Sequence, residues 1–194
     1  MLSANGKLSP AKGLGTIEFV GPLTLGRLAF LISLGVLTYV LHKTFHYPLK
    51  MPGHHGLEAM ALLVLGRLSC TNPFSATIVC LSALTSASFA TGMGHDASSA
   101  LLGLAPGLLV DAGVLLFKNW RAQFFVLPLL AALGHATKPL IRSGIFETTG
   151  INFGSLRHGL AYPLTTHFCY GLAGGLLAAL LWRITVRRWN RENV

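Results

Sequence analysis

Histidine is the residue type of this chain best suited to chemistry near neutral pH, because a neutral imidazole is a common ligand of zinc, copper, nickel and cobalt. The chain has eight of them, at His42, His46, His54, His55, His95, His135, His158 and His167. When the apolar segments described below are threaded through a membrane, every histidine falls in an outer loop or in the outer part of a helix. We therefore expect an outward-facing polar site above an apolar bundle.

The segment from Pro52 to Glu58 carries the most specific local pattern. His54 and Glu58 are four residues apart, so they share one helix face if the helix begins by His54. This geometry suits a metal ion or a polarised histidine–carboxylate pair, although adjacent histidines also occur in turns that only tolerate polar residues. The spacing matches no established zinc motif. Together with the turn before the fourth apolar segment, the predicted metal ligands are His54, His55, His95 and Asp96.

A second polar group lies toward the outer ends of the last two apolar segments. Lys138 and Arg142 are four residues apart, and with His135 they suit an anionic small molecule, although snorkelling to the interface explains Arg142 equally well. A haem between His135 and His167 is a further option, and hydrogen bonding of the histidines to irregular loops is the simplest one. The predicted ligand-binding residues are His54, His55, Glu58, His135, Lys138, His158 and His167.

Arg67 and Asp111 are charged residues inside two apolar segments. Counting 1.5 Å per residue along each helix places both at a similar depth in the inner third. Most buried charges are paired, so we predict a structural ion pair between the second and fourth helices. A relay or coupling element is the functional alternative.

Composition points to an all-α integral membrane protein. The chain has 194 residues, of which 52% are hydrophobic and 11% are charged, whereas a soluble domain carries about 25% charged residues. The net charge of +9 does not indicate nucleic acid, since no basic stripe with interleaved aromatics is present.

The sequence contains none of the common catalytic or metal-binding motifs. The three cysteines form no CxxC pattern. The chain has no P-loop, GxSxG or HExxH motif, so we expect no catalytic activity of its own.

Six apolar segments are long enough to form a compact bundle of about six transmembrane helices. They cover residues 23–41, 54–68, 73–91, 97–117, 122–141 and 160–182, and an irregular Gly-rich stretch spans 142–160. The second segment is short for a full span. Gly171, Gly174 and Gly175 predict close packing of the last helix.

The distribution of lysine and arginine predicts the orientation of the bundle. Arg183, Arg187, Arg188 and Arg191 follow the last segment and place the C-terminus in the cytoplasm. With six spans the N-terminus is cytoplasmic too. The expected organisation is an N-terminal tail over residues 1–22, a membrane domain over 23–186 and a basic tail over 187–194, in a multi-pass protein of the inner (plasma) membrane.

The layout over residues 23–186 resembles the substrate-binding S components of energy-coupling factor transporters, which are small six-helix bundles with a binding cavity near the outer face. Gly26, Ala29, Ser33 and Gly35 stand loosely where S components often have an Ala-xxx-Ala docking pattern. Metal-specific members begin with Met-His, whereas this chain begins Met1-Leu2-Ser3, so their metal mechanism does not carry over. The resemblance implies a scaffold permease and ATPases as partners.

Three functions are compatible with these patterns. The first is a transport subunit that captures a small molecule or a transition-metal ion outside and works with partner subunits. The second is an accessory subunit of a larger membrane-bound redox or metal-dependent enzyme complex. The third is an assembly protein without a ligand, for which all eight histidines would be replaceable. Nucleic acid is not an expected partner of any of them.

Overall fold

The computed structural model describes residues 22–45, 51–91, 97–117, 120–157 and 159–192. These residues form six α-helices and no β-strand, which confirms the all-helical class. The helices are α1 (Leu25–Thr44), α2 (Gly56–Ser69), α3 (Ser75–Thr91), α4 (Ala97–Leu116), α5 (Trp120–Thr149) and α6 (Ala161–Glu192). A short 3₁₀ turn, Gly154–Leu156, lies between α5 and α6.

Local side-chain chemistry sets several of the helix boundaries. The Thr24 hydroxyl accepts a hydrogen bond from the Arg27 amide at 3.3 Å and caps α1. The carboxamide oxygen of Asn72 accepts from the Phe74 amide at 2.9 Å, which turns the chain between α2 and α3. Gly53 has a φ of +85° and its carbonyl accepts from the Gly56 amide, so a tight turn leads directly into α2.

Helix α2 lies at the centre of the bundle. It packs against α1, α3, α5 and α6. Its side chains are buried on several faces, as expected for a helix that is apolar all round. The core that forms around it contains Met60, Leu63, Val64, Leu68, Val110, Val114, Leu127 and Leu130. With 14 residues it is about 21 Å long, which is shorter than the hydrocarbon core of a bilayer.

The glycines of α6 allow this helix to approach its neighbours closely, which confirms the packing prediction. A Cβ at Gly171 would lie 2.9 Å from the Ala131 carbonyl oxygen of α5. A Cβ at Gly174 would overlap the Leu57 carbonyl oxygen of α2. Backbone cannot give way as a flexible side chain does, so a larger residue at either position would push α6 away from α2 and α5.

The surface of the bundle is rich in large apolar side chains, while several polar side chains are buried. Leu25 is 83% and Phe89 is 88% exposed, whereas Asp111, His135 and His167 are each 3% exposed. Soluble proteins rarely have this distribution. Three described helical segments, Leu25–Thr44, Ser98–Leu116 and Ala161–Thr185, are long and apolar enough to cross a membrane, and Ser75–Thr91 is a shorter apolar helix.

Helices α5 and α6 are longer than the sequence predicted. Helix α5 continues past residue 141 to Thr149, so residues 142–149 are helical and not irregular. Pro139 lies within the helix without ending it, and the end comes at Gly150, whose φ is +73° and whose amide donates to the Phe146 carbonyl. Helix α6 extends to Glu192, so residues 187–192 of the predicted tail continue the helix.

Candidate functional site

One histidine of α1 and two residues at the start of α2 form a cluster of metal-binding side chains. One ring nitrogen of His42, one ring nitrogen of His55 and a carboxylate oxygen of Glu58 all lie within 4.8 Å of one another. The rings of His42 and His55 are 4.0 Å apart between centroids. His42 is exposed, and His55 and Glu58 are partly buried. We refer to these three residues as the metal-ligand cluster.

The first turn of α2 orients His55 within this cluster. His55 precedes the first residue of the helix, and Glu58 lies in the first turn, where the helix dipole stabilises a negative charge. His55 Nδ1 lies 2.6 Å from Glu58 Oε1. An ionised carboxylate only accepts hydrogen bonds, so Nδ1 donates to it, and a metal ion held between the two residues would take the place of that proton.

The predicted pairing of His54 with Glu58 is wrong. It required α2 to begin by His54, but the helix begins at Gly56, so His54 lies in the preceding turn. His54 Nδ1 instead donates to the Met51 carbonyl oxygen at 2.7 Å. Its ring lies 4.0 Å from that of His55, so His54 is next to the metal-ligand cluster without belonging to it.

His135 of α5 and His167 of α6 form a second histidine group on the other side of the same turn. Their rings stack with centroids 4.8 Å apart and an angle of 29° between the planes. His135 Nε2 donates to the Gly53 carbonyl oxygen at 3.1 Å, and His167 Nδ1 donates to the Pro163 carbonyl oxygen at 2.7 Å. The ring faces oppose each other, so the pair does not suit a haem, whose axial nitrogens must point at one iron.

Two glycines let the turn lie directly on this histidine pair. A Cβ at Gly53 would be 2.6 Å from Nδ1 of His167, and a Cβ at Gly56 would overlap Nε2 of His135. The imidazoles therefore support the backbone that carries His55. His135 Nδ1 is buried and has no hydrogen-bond partner among the described residues.

Lys138 and Arg142 lie beyond His135 along α5, with Lys138 one turn closer to the histidines. Lys138 is partly buried and lies three residues after His135, so it follows His135 by about one turn of α5. Arg142 Nη1 donates to the Ser155 hydroxyl at 3.3 Å, and its Nε is buried without a hydrogen-bond partner. Over the described ranges, no carboxylate lies within ion-pair distance of either cation.

The predicted Arg67–Asp111 pair lies at the opposite end of α2. Arg67 Nε is 3.8 Å from Asp111 Oδ1, and Arg67 Nη1 donates to the Cys70 carbonyl oxygen at 2.6 Å. Asp111 accepts from the amides of Ala76 and Thr77 at 3.2 and 2.8 Å and from the Thr77 hydroxyl at 2.7 Å. Asp111 therefore caps the N-terminus of α3 from another helix, while Arg67 caps the C-terminus of α2.

Three predicted site residues, His95, Asp96 and His158, lie outside the described residues, as does His46. The five histidines that the structure describes all lie at one end of the bundle, linked by the contacts given above. His42 was missing from the predicted ligand set. The signal that could have identified it is its position one residue beyond the predicted end of helix 1, where α1 in fact continues to Thr44.

No protein-family model, curated protein or solved structure matches this chain. The resemblance to S components therefore stays a prediction based on layout.

Proposed function

We propose that this protein is a multi-pass inner (plasma) membrane protein that captures a divalent transition-metal ion at the metal-ligand cluster and passes it on as a transport subunit. The observation that carries the proposal is the convergence of three donor atoms, from His42, His55 and Glu58, within 4.8 Å. Two imidazoles and a carboxylate suit Zn²⁺, Co²⁺ or Ni²⁺. Three protein ligands leave a coordination position open, as exchange of a cargo ion requires.

The exposure pattern supports membrane insertion. Leucine side chains face outward along α1, α4 and α6, and the buried side chains of Asp111 and His167 are hydrogen-bonded inside the bundle. With six spans and both termini in the cytoplasm, the arginines in the C-terminal part of α6 lie on the inner side. In this orientation the metal-ligand cluster faces outward. The short α2 is shielded by its neighbours, so its ends need not reach the lipid headgroups.

The supply of energy would come from partner subunits. The chain contains no P-loop, so nucleotide hydrolysis would be performed by associated ATPases acting through a scaffold permease. Purification of the tagged protein in mild detergent, followed by mass spectrometry, is expected to recover such subunits. Recovery of redox or metalloenzyme subunits instead would contradict the transport role and favour an accessory subunit of an enzyme complex.

Metal binding can be tested directly on the purified protein. Isothermal titration with Zn²⁺ is expected to show one site, and His55→Ala is expected to weaken it by about tenfold or more. The matched control is His54→Ala, because His54 is the adjacent histidine and donates only to the Met51 carbonyl. Wild-type protein that binds no metal, or equal losses in the two variants, would overturn the proposal.

A further inference from the structure

The electrostatics of the outer end are unfavourable for a bare metal ion. Glu58 contributes one negative charge, while Lys138 and Arg142 contribute two positive ones, so this group carries a formal charge of +1 with its histidines neutral. A divalent ion would raise that charge to +3. Lys43, the residue after His42, adds a further positive charge. Like charges in a partly buried site repel strongly because the local dielectric is low.

Protein carboxylates do not correct this imbalance in the part of the chain that the structure describes. Glu58 already pairs with His55 at 2.6 Å. Glu147, the carboxylate of α5, is exposed and lies nine residues beyond Lys138, about 13 Å along the helix. Two cations near the end of a membrane bundle therefore lack a counter-ion, and a negatively charged ligand would supply one.

Arg142 is held in place in a way that suits the binding of such a ligand. Its Nη1 donates to Ser155 at 3.3 Å, and its guanidinium carbon lies 5.9 Å from the centre of the Phe153 ring. Ser155 and Phe153, which follow α5, therefore hold one side of the guanidinium in a fixed position. Its Nε is buried and keeps an unused donor. A guanidinium binds a carboxylate through parallel N–H donors, and ordering the fork beforehand lowers the cost of binding.

We propose that the cargo is an anionic chelate, in which a divalent metal ion is carried by a small polycarboxylate. The inference rests on the proposed function. The metal ion contacts His42, His55 and Glu58, and the carboxylates of the chelator contact Lys138 and Arg142. Lys138 lies about 4.5 Å beyond His135 along α5, and Arg142 lies about 6 Å further. The chelator fills the open coordination positions of the metal and supplies the missing negative charge.

Zinc and zinc citrate serve as probes for the test. The purified full-length protein in detergent is incubated with radiolabelled citrate, with and without Zn²⁺, and retained label is measured. Citrate is expected to be retained only when Zn²⁺ is present. Lys138→Gln and Arg142→Gln are each expected to reduce this retention by about tenfold or more, the scale expected for losing a charge-assisted contact. Arg157→Gln is the matched control, since Arg157 is an exposed arginine of the same segment.

Binding of Zn²⁺ alone distinguishes the inference from the proposed function. Removing a positive charge is expected to leave Zn²⁺ affinity unchanged or to raise it, and this result also shows that the variants are folded. If the wild type binds Zn²⁺ but citrate only strips the ion from it, the chelate inference is wrong and the metal site stands. If the wild type binds neither Zn²⁺ nor zinc citrate, the proposed function is wrong.

Discussion

The two ends of α2 differ in whether their charged side chains have partners within the protein. At the C-terminal end, Asp111 accepts three hydrogen bonds from α3 and lies near Arg67, whose Nη1 donates to a backbone carbonyl. At the N-terminal end, Lys138 and Arg142 have no carboxylate partner among the described residues, and His42 is exposed. Arg67 Nε also makes no hydrogen bond, so the two ends differ in the partner of each cation: Arg67 has a carboxylate at 3.8 Å, and Lys138 and Arg142 have none among the described residues.

Among the changes that test the difference between the two ends of α2, Asp111→Ala should lower the stability most. It removes the cap of α3 and leaves the buried Arg67 charge without a carboxylate partner, so the free energy of unfolding should fall by about 3–5 kcal/mol. The measurement is unfolding of the purified protein in detergent. Zn²⁺ affinity of the folded fraction should not change. Loss of metal binding at full stability would show that the Arg67–Asp111 end of α2 is not merely structural.

Gly56→Ala tests the contact between the turn and the histidine pair. The added Cβ overlaps Nε2 of His135, so we expect a destabilisation of about 1–3 kcal/mol together with weaker metal binding, because His55 moves with the turn. Gly144→Ala is the control in α5, since nothing lies within 4 Å of its Cβ. That variant should be slightly stabilised, by up to about 1 kcal/mol. Equal effects of the two changes would argue against the contact.

Thr77→Val tests one of the three hydrogen bonds that Asp111 accepts. It removes the 2.7 Å bond from the threonine hydroxyl to Asp111 and keeps the shape of the side chain. We expect a loss of stability of about 1 kcal/mol, since the two backbone amides still bind the carboxylate. Thermal unfolding of the Thr77→Val and Asp111→Ala variants compares the two losses of stability. A loss as large as that of Asp111→Ala would mean that the amide bonds contribute little.

Glu58→Gln should have the smallest effect on stability and the sharpest effect on function. Its partner His55 is partly exposed, so breaking this pair should cost about 0.5 kcal/mol. Zn²⁺ affinity should nevertheless fall by about tenfold or more, because a charged ligand is replaced by a neutral amide. Calorimetry and unfolding of the same preparation give both values. A destabilisation comparable to that of Asp111→Ala would mean that Glu58, like Asp111, mainly stabilises the fold.

The success of the sequence predictions depended on how regular the intervening backbone is. Arg67 and Asp111 lie within regular helices, so a fixed rise per residue placed them at one depth, and they are 3.8 Å apart. The metal-ligand cluster depends instead on where α2 begins. A shift of that boundary from His54 to Gly56 replaces an i,i+4 pair of His54 by an i,i+3 pair of His55. The positive φ of Gly53 determines this boundary, and composition does not reveal it.

The shortness of α2 has a consequence for biogenesis. A segment of 14 residues that includes Glu58 and Arg67 is a poor substrate for insertion into lipid by itself. Its neighbours α5 and α6 are synthesised last, yet they cover much of its surface. In a membrane-spanning bundle, α2 would therefore depend on the translocation machinery or on α1 and α3 until residues 120–192 have been synthesised. The contact of the turn before α2 with His135 and His167 is thus completed only at the end of synthesis.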